Sequence, residues 1–177
     1  RAPTRHAPSA PAYNSLQPPS ARTTGSARRA VRPIAMPRRP PLLLVTPYAA
    51  DANNGNWRTA ARWARLLAPR YDVRLQGPGD PVVGSGREQA VALIALHARR
   101  SGPAIRAWKR SRPDAALLVA LTGTDLYKDL PAGDTDAVES IAVADRLIAL
   151  QDDAPTHLPP AARAKTDVVF QSARTLK

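Results

Sequence analysis

Four consecutive apolar residues, Leu42, Leu43, Leu44 and Val45, run directly into Thr46-Pro47, and this junction limits the possible folds more than any other stretch of the chain. A run that short, bounded by proline, reads as a strand buried on both faces. Asn53-Asn54-Gly55-Asn56 then supplies turn formers and helix caps. From Trp57 onward, Ala60, Ala61, Ala64, Leu67 and Ala68 recur at helical spacing, Arg58, Arg62 and Arg65 share another face, and Pro69 stops the helix. A strand that passes through a glycine turn into a helix opens an open α/β sheet, and the amides at such a helix start can receive an anion. Any α/β protein needs such a unit, so it does not by itself specify a ligand. The G-x-G-x-x-G fingerprint is absent, which argues against a nicotinamide or flavin dinucleotide.

The pattern continues along the chain. Tyr71 to Gln76 reads as a second strand with Tyr71, Val73 and Leu75 alternating, and Gly77-Pro78-Gly79-Asp80-Pro81 and Gly84-Ser85-Gly86 read as loops. The Gly84-Ser85-Gly86 pair follows no strand end and reads as a turn, not a phosphate loop. Ala90 to Leu96 is an apolar run ending in His97-Ala98-Arg99-Arg100-Ser101, with a helix over about Pro103 to Arg110. Leu117 to Leu121 repeats the motif and ends in Thr122-Gly123-Thr124-Asp125-Leu126-Tyr127. A helix over Asp136 to Ala144, a strand over Arg146 to Leu150, a short helix over Leu158 to Lys165 and a last strand over Val168 to Phe170 complete the pattern. Strands alternating with helices predict a Rossmann-like, three-layer α/β/α fold with a parallel sheet and right-handed crossovers. Ligands of such sheets gather beyond the carboxyl ends of the strands. The polar clusters at Asn53 to Asn56, His97 to Ser101, Thr122 to Asp125 and Gln171-Ser172 would then share one edge.

Thr122-Gly123-Thr124-Asp125 offers two hydroxyls, a glycine allowing close backbone approach, and a carboxylate, which suits a polyhydroxylated or phosphorylated ligand. The blander reading makes it a strand-to-helix turn with Asp125 as cap. His97 has the chemistry of a proton shuttle, and Arg99, Arg100 and Ser101 that of an oxyanion holder. A lone histidine after a strand is also a common structural residue, and paired arginines a common solvated face. His6 and His157 have no supporting cluster in the sequence, and Asp152-Asp153 lacks the partners of a metal site. No metal and no cofactor is expected.

The formal charge of +12 misleads until it is divided. Residues 1 to 40 hold eight arginines, eight prolines and no acid, leaving 18 basic against 14 acidic side chains in the remainder. Such an arm cannot bury enough apolar surface to offset its ordering entropy and reads as disordered. The domain over 41–173 has an ordinary charge balance, and nucleic acid is not an expected partner for it. The first residue is Arg1 and the only methionine is Met36, so residues 1–35 read as an upstream extension or over-long reading frame; a transit-like segment and a nucleic-acid-binding arm are the alternatives. Cysteine is absent, which removes disulfides and thiolate chemistry. No run approaches the roughly 18 apolar residues needed to span a bilayer, and no signal peptide is visible, so no membrane partner and a cytoplasmic location are expected.

Asn54-Gly55-Asn56 before Arg58-Thr59-Ala60, the phrase Leu96-His97-Ala98-Arg99-Arg100-Ser101, the phrase Leu121-Thr122-Gly123-Thr124-Asp125-Leu126-Tyr127 and the run Val169-Phe170-Gln171-Ser172-Ala173 together resemble the amino-terminal half of bacterial glycosyltransferases of GT-B architecture. More narrowly, they are similar to the selenosugar synthases of selenoneine biosynthesis. The resemblance implies transfer of a sugar, N-acetylglucosamine, from a UDP-sugar donor to selenophosphate. It assigns Gly55, Asn56 and Arg58 to the donor diphosphate side. His97, Arg99, Ser101, Thr124 and Asp125 fall on the acceptor side, with His97 and Asp125 catalytic, and Thr122 and Gly123 complete the substrate-binding set. Many related enzymes carry His-Gly where this chain has Thr122-Gly123. Residues 174–177 read as the start of a linker to a second domain that holds most of the donor, and the chain without that domain is expected to be inactive. A related glycosyltransferase with another acceptor, and a non-enzymatic nucleic-acid-binding protein using residues 1–40, are the rival readings.

Overall fold

The computed structural model describes residues 38–48, 54–80 and 90–171. The arm expected over residues 1–40 lies outside them except for 38–40, as do Asn53, Pro81, the Gly84-Ser85-Gly86 turn, Ser172 and the linker over 174–177.

Six strands form one parallel sheet: β1 (Pro41–Val45), β2 (Asp72–Gln76), β3 (Ala92–Leu96), β4 (Ala116–Leu121), β5 (Arg146–Ala149) and β6 (Thr166–Val168). Their spatial order is β2-β1-β3-β4-β5-β6, with every neighbouring pair parallel. This is the Rossmann-like α/β architecture that the alternation of apolar runs and helical segments predicts. The order reverses between β1 and β3. Right-handed crossovers running in opposite directions from that point put helices on opposite faces.

The core shows this division. On one face α1 (Gly55–Leu67) packs Ala60, Trp63, Ala64 and Leu67 against Leu42, Leu44, Ile94 and Leu96. On the other, α2 (Gly102–Ser111) and α3 (Thr135–Val143) bring Ile105, Trp108, Ala137 and Ile141 against Leu43, Val45, Leu93 and Ala95. Leu43, Leu44, Leu93, Leu96 and Leu117 are wholly buried, as expected for central strands covered on both sides.

Helix ends follow local chemistry. The Asn54 side chain accepts the Trp57 N–H at 3.0 Å and starts α1 two residues earlier than the apolar spacing indicates. Asp134 caps α3 in the same way through the Ala137 N–H at 3.0 Å. Gly102 lets α2 approach α3 closely, since a Cβ there would meet Asp136 Cβ at 3.1 Å. Across the same gap Arg106 hydrogen-bonds Asp136, and this bond, against a smaller opposing effect of burial, raises the guanidinium pKa.

Two expected elements differ. The helix expected over Leu158 to Lys165 is reduced to one turn, α4 (Pro160–Arg163), and a 3-10 turn at Ala154–His157 precedes it. A residue preceding proline is pushed out of the helical region, and Pro159-Pro160 imposes this twice: Leu158 and Pro159 are both extended, with ψ of 146° and 153°. The strand expected over Val168 to Phe170 is Thr166–Val168 instead. Its neighbour β5 ends at Ala149, whose carbonyl accepts the Val169 N–H at 2.8 Å as the last rung, and Phe170 is 67% exposed. No helix among the described residues is long and apolar enough to cross a membrane.

Lys165 closes the far end of α3 by donating from Nζ to the carbonyls of Ala142 and Ala144 at 2.9 and 2.6 Å. Burial lowers its pKa from 10.5. Lys165→Met should therefore destabilise the domain by about 1–2 kcal/mol in a denaturant titration. Because the folded-state pKa lies below the unfolded one, wild-type stability gains as pH rises toward 10.5, and the gap to the variant should widen over that range.

Candidate functional site

β3 and β4 end side by side, with Leu96 opposite Ala120, and the ladder continues one step as the His97 N–H donates to the Ala120 carbonyl at 2.8 Å. Beyond that point the strands have no further rungs to share. Asp125 supplies the acceptor: its Oδ2 takes the Ala98 N–H at 2.9 Å, and its Oδ1 takes the N–H groups of Thr122 and Gly123, each at 2.9 Å. The carboxylate has no solvent exposure. It joins the loops after β3 and β4, two of the polar clusters expected to meet at one edge.

His97 is also buried, at 1% exposure, and its backbone is left-handed at φ 71°. That conformation is disfavoured for a side-chain-bearing residue, and the hydrogen bonds around it hold it in place. The Arg100 N–H points at its Nδ1 at 3.4 Å, so Nδ1 can accept from that amide. Nε2 is buried and has no hydrogen-bond partner among the described residues. The Nδ1 to Asp125 Oδ2 separation is 3.9 Å, too long for a hydrogen bond. His97 and Asp125, expected to act on the acceptor, are thus brought together but face the interior, where they can position the two loops.

The neighbouring polar side chains are largely committed to the fold. The Ser101 hydroxyl is buried and donates to the Leu96 carbonyl at 2.6 Å, closing the turn into α2. Arg99, expected to hold an anion, sits between two carboxylates, with Nε 2.9 Å from Asp134 and Nη1 3.4 Å from Asp129. Thr122 Oγ1 is buried without a partner among the described residues. Gly123 adopts φ 123°, and nothing lies within 4 Å of where a Cβ would be. Thr124 is exposed and its side chain makes no capping bond. After it the chain forms a single π-helical turn, Asp125–Asp129, with the Leu130 N–H reaching the Asp125 carbonyl at 2.9 Å.

Gly55, Asn56 and Arg58 form the first turn of α1, where Gly55 and Arg58 are exposed. One turn into that helix, Thr59 Oγ1 accepts from Gln171 Nε2 at 2.7 Å, which ties the segment after β6 to α1. The site thus consists of two joined pairs of segments on the carboxyl side of the sheet.

A cluster not evident from the sequence lies beside Thr122. The ring of His157 meets Tyr127 edge-on at 4.9 Å, His157 Nε2 is 2.9 Å from Asp153, and Gln151 hydrogen-bonds the Tyr127 hydroxyl. A recess of about 80 Å³ opens beside Tyr127 and Gln151, lined also by Thr122 and Gly123. The one signal of it in the sequence is the four-residue spacing of Asp153 and His157, which pairs side chains wherever the backbone is helical. No group of three or more metal-ligating side chains occurs among the described residues.

Asp125→Asn replaces one carboxylate oxygen with a donor facing backbone donors. It should lower unfolding free energy by about 3 kcal/mol, read from a shifted denaturation midpoint. No protein-family model and no curated protein matches the chain.

Proposed function

We propose that the chain is the acceptor-side domain of a glycosyltransferase, and that the whole protein transfers N-acetylglucosamine from a UDP-sugar to selenophosphate. The observation that carries this reading is the meeting of the β3 and β4 loops through Asp125, with Thr122, Gly123 and Thr124 at the shared edge. The contact of Gln171 with the first turns of α1 supports it, because the segment leaving β6 returns toward Gly55 and Asn56. In the proposed reaction, selenium attacks the anomeric carbon of the sugar, the bond from that carbon to the diphosphate oxygen breaks, and UDP leaves with the electron pair.

His97 and Asp125 act in this scheme by positioning. They fix the two turns that carry Arg99 and Thr124, while exposed Tyr127 and Gln151 flank the sugar. Donor phosphates would meet the amides of Gly55 and Asn56 at the start of α1.

The complete protein, including any segment that follows Lys177, should release UDP from UDP-N-acetylglucosamine only when selenophosphate is present. Mass spectrometry should then find selenium bonded to the sugar. Turnover with other acceptors but not selenophosphate would favour a related glycosyltransferase. No turnover with any acceptor would remove the sugar-transfer reading altogether.

A further inference from the structure

The sheet order reverses between β1 and β3, and a second hollow of about 350 Å³ opens beside that point, between the ends of β1 and β2 and the start of α2. Crevices at such reversals are where open α/β sheets bind ligands, and this volume lies within the range of small-molecule pockets. None of the residues assigned to the donor or acceptor lines it except Ser101, whose hydroxyl is already bonded to Leu96.

Three independent features of the lining point to one kind of ligand. Thr46 is fully buried, and its hydroxyl has no hydrogen-bond partner among the described residues. Buried polar groups are nearly always paired, so this one has capacity left for a group that enters the hollow. Arg100 is exposed at the opening, and its guanidinium stacks 4.9 Å from the centre of the Tyr48 ring. Stacking of that kind orients the in-plane donors for a carboxylate or phosphate. The third feature is the amino end of α2, which has ten residues, no acid in its first turn and no side-chain cap. The Gly102 N–H goes to the Arg99 carbonyl at 3.1 Å and Pro103 has none, so the first amide this end can offer is that of Ala104, itself part of the lining.

The remaining wall is apolar, formed by Pro47, Pro78, Pro103 and Ala107. Asp80 also lines the hollow, its carboxylate held by the Gly77 N–H at 2.9 Å. A bare inorganic anion would meet Asp80 as well as Arg100. An organic body keeps its charge at one end and suits the proline wall.

We propose that this crevice binds a small hydroxylated organic anion, with its anionic head on Arg100 and the amino end of α2, its body along the prolines and its hydroxyl on Thr46. The proposal is independent of sugar transfer and stands or falls separately from it.

Titration of the full chain with 4-hydroxybenzoate, benzoate and phenol, followed by calorimetry or ligand-observed NMR, tests each part. 4-Hydroxybenzoate should bind saturably, about fivefold tighter than benzoate and about tenfold tighter than phenol. Thr46→Val, which keeps the side-chain shape, should erase the preference for 4-hydroxybenzoate over benzoate. Arg100→Gln, at an exposed position that the fold tolerates, should weaken both acids about tenfold and leave phenol unchanged. Absence of saturable binding by 4-hydroxybenzoate overturns the proposal, as does an unchanged preference in Thr46→Val or unchanged acid affinity in Arg100→Gln.

Discussion

A carboxylate removed from water is tolerated only when donors meet its charge, and Asp125 is met by three backbone amides from two strand ends. Parallel strands leave unpaired amides where their ladder stops, and at β3 and β4 the carboxylate takes the place of the missing rung. With that acceptor in place the chain can turn sharply at His97, whose left-handed backbone would otherwise be disfavoured. The rest of the turn is closed by short local bonds, from the Ser101 N–H to the His97 carbonyl and from the Ser101 hydroxyl to Leu96. The direction in which the next residues face, and the position at which α2 starts, both follow from this arrangement.

The same turn decides which cation a ligand can reach. Arg99 and Arg100 are adjacent and look alike in sequence, but they leave the turn in different directions. Arg99 goes to Asp129 and Asp134, at the end of the π-helical turn and at the cap of α3, and its charge is largely spent there. Its guanidinium is still half-exposed, so the pair contributes modestly to stability and mainly fixes geometry. Arg100 has an aromatic ring as its neighbour, and its charge remains directed outward. The anion-holding chemistry assigned to the two arginines from sequence therefore falls mainly on the second.

The fold was legible because its signals are local. Leu42 to Val45, Leu93 to Leu96 and Leu117 to Leu121 are strands buried on both faces, and a strand of that kind announces itself as an unbroken apolar run. Helix starts at Asn54 and Asp134 carry cap residues within three positions of the amides they serve. Where the expected helix is too long the cause is local too: Pro160 does open α4, but it holds Pro159 extended, and Pro159 does the same to Leu158. The site was less legible because its bonds are not local. Nothing near Asp125 in sequence points to Ala98, 27 positions away, and the Gln171 contact with Thr59 spans 112. A polar residue at a strand end looks the same in sequence whether it faces a ligand or serves as a brace, and only burial together with bonding separates the two.

That distinction sorts the carboxyl edge by function. Groups that are buried and already bonded, Asp125 and Ser101 above all, hold the loops, and a ligand cannot reach them without dismantling the turn. Groups that are half-exposed yet fixed by a partner, such as Tyr127 with Gln151 and His157 with Asp153, have lost much of their side-chain freedom before any ligand arrives. Binding to side chains already fixed in this way loses less entropy than binding to free ones. The braced interior and the pre-ordered rim are therefore linked: Asp125 sets the course of the segment on which Tyr127 stands, only two residues further along the chain.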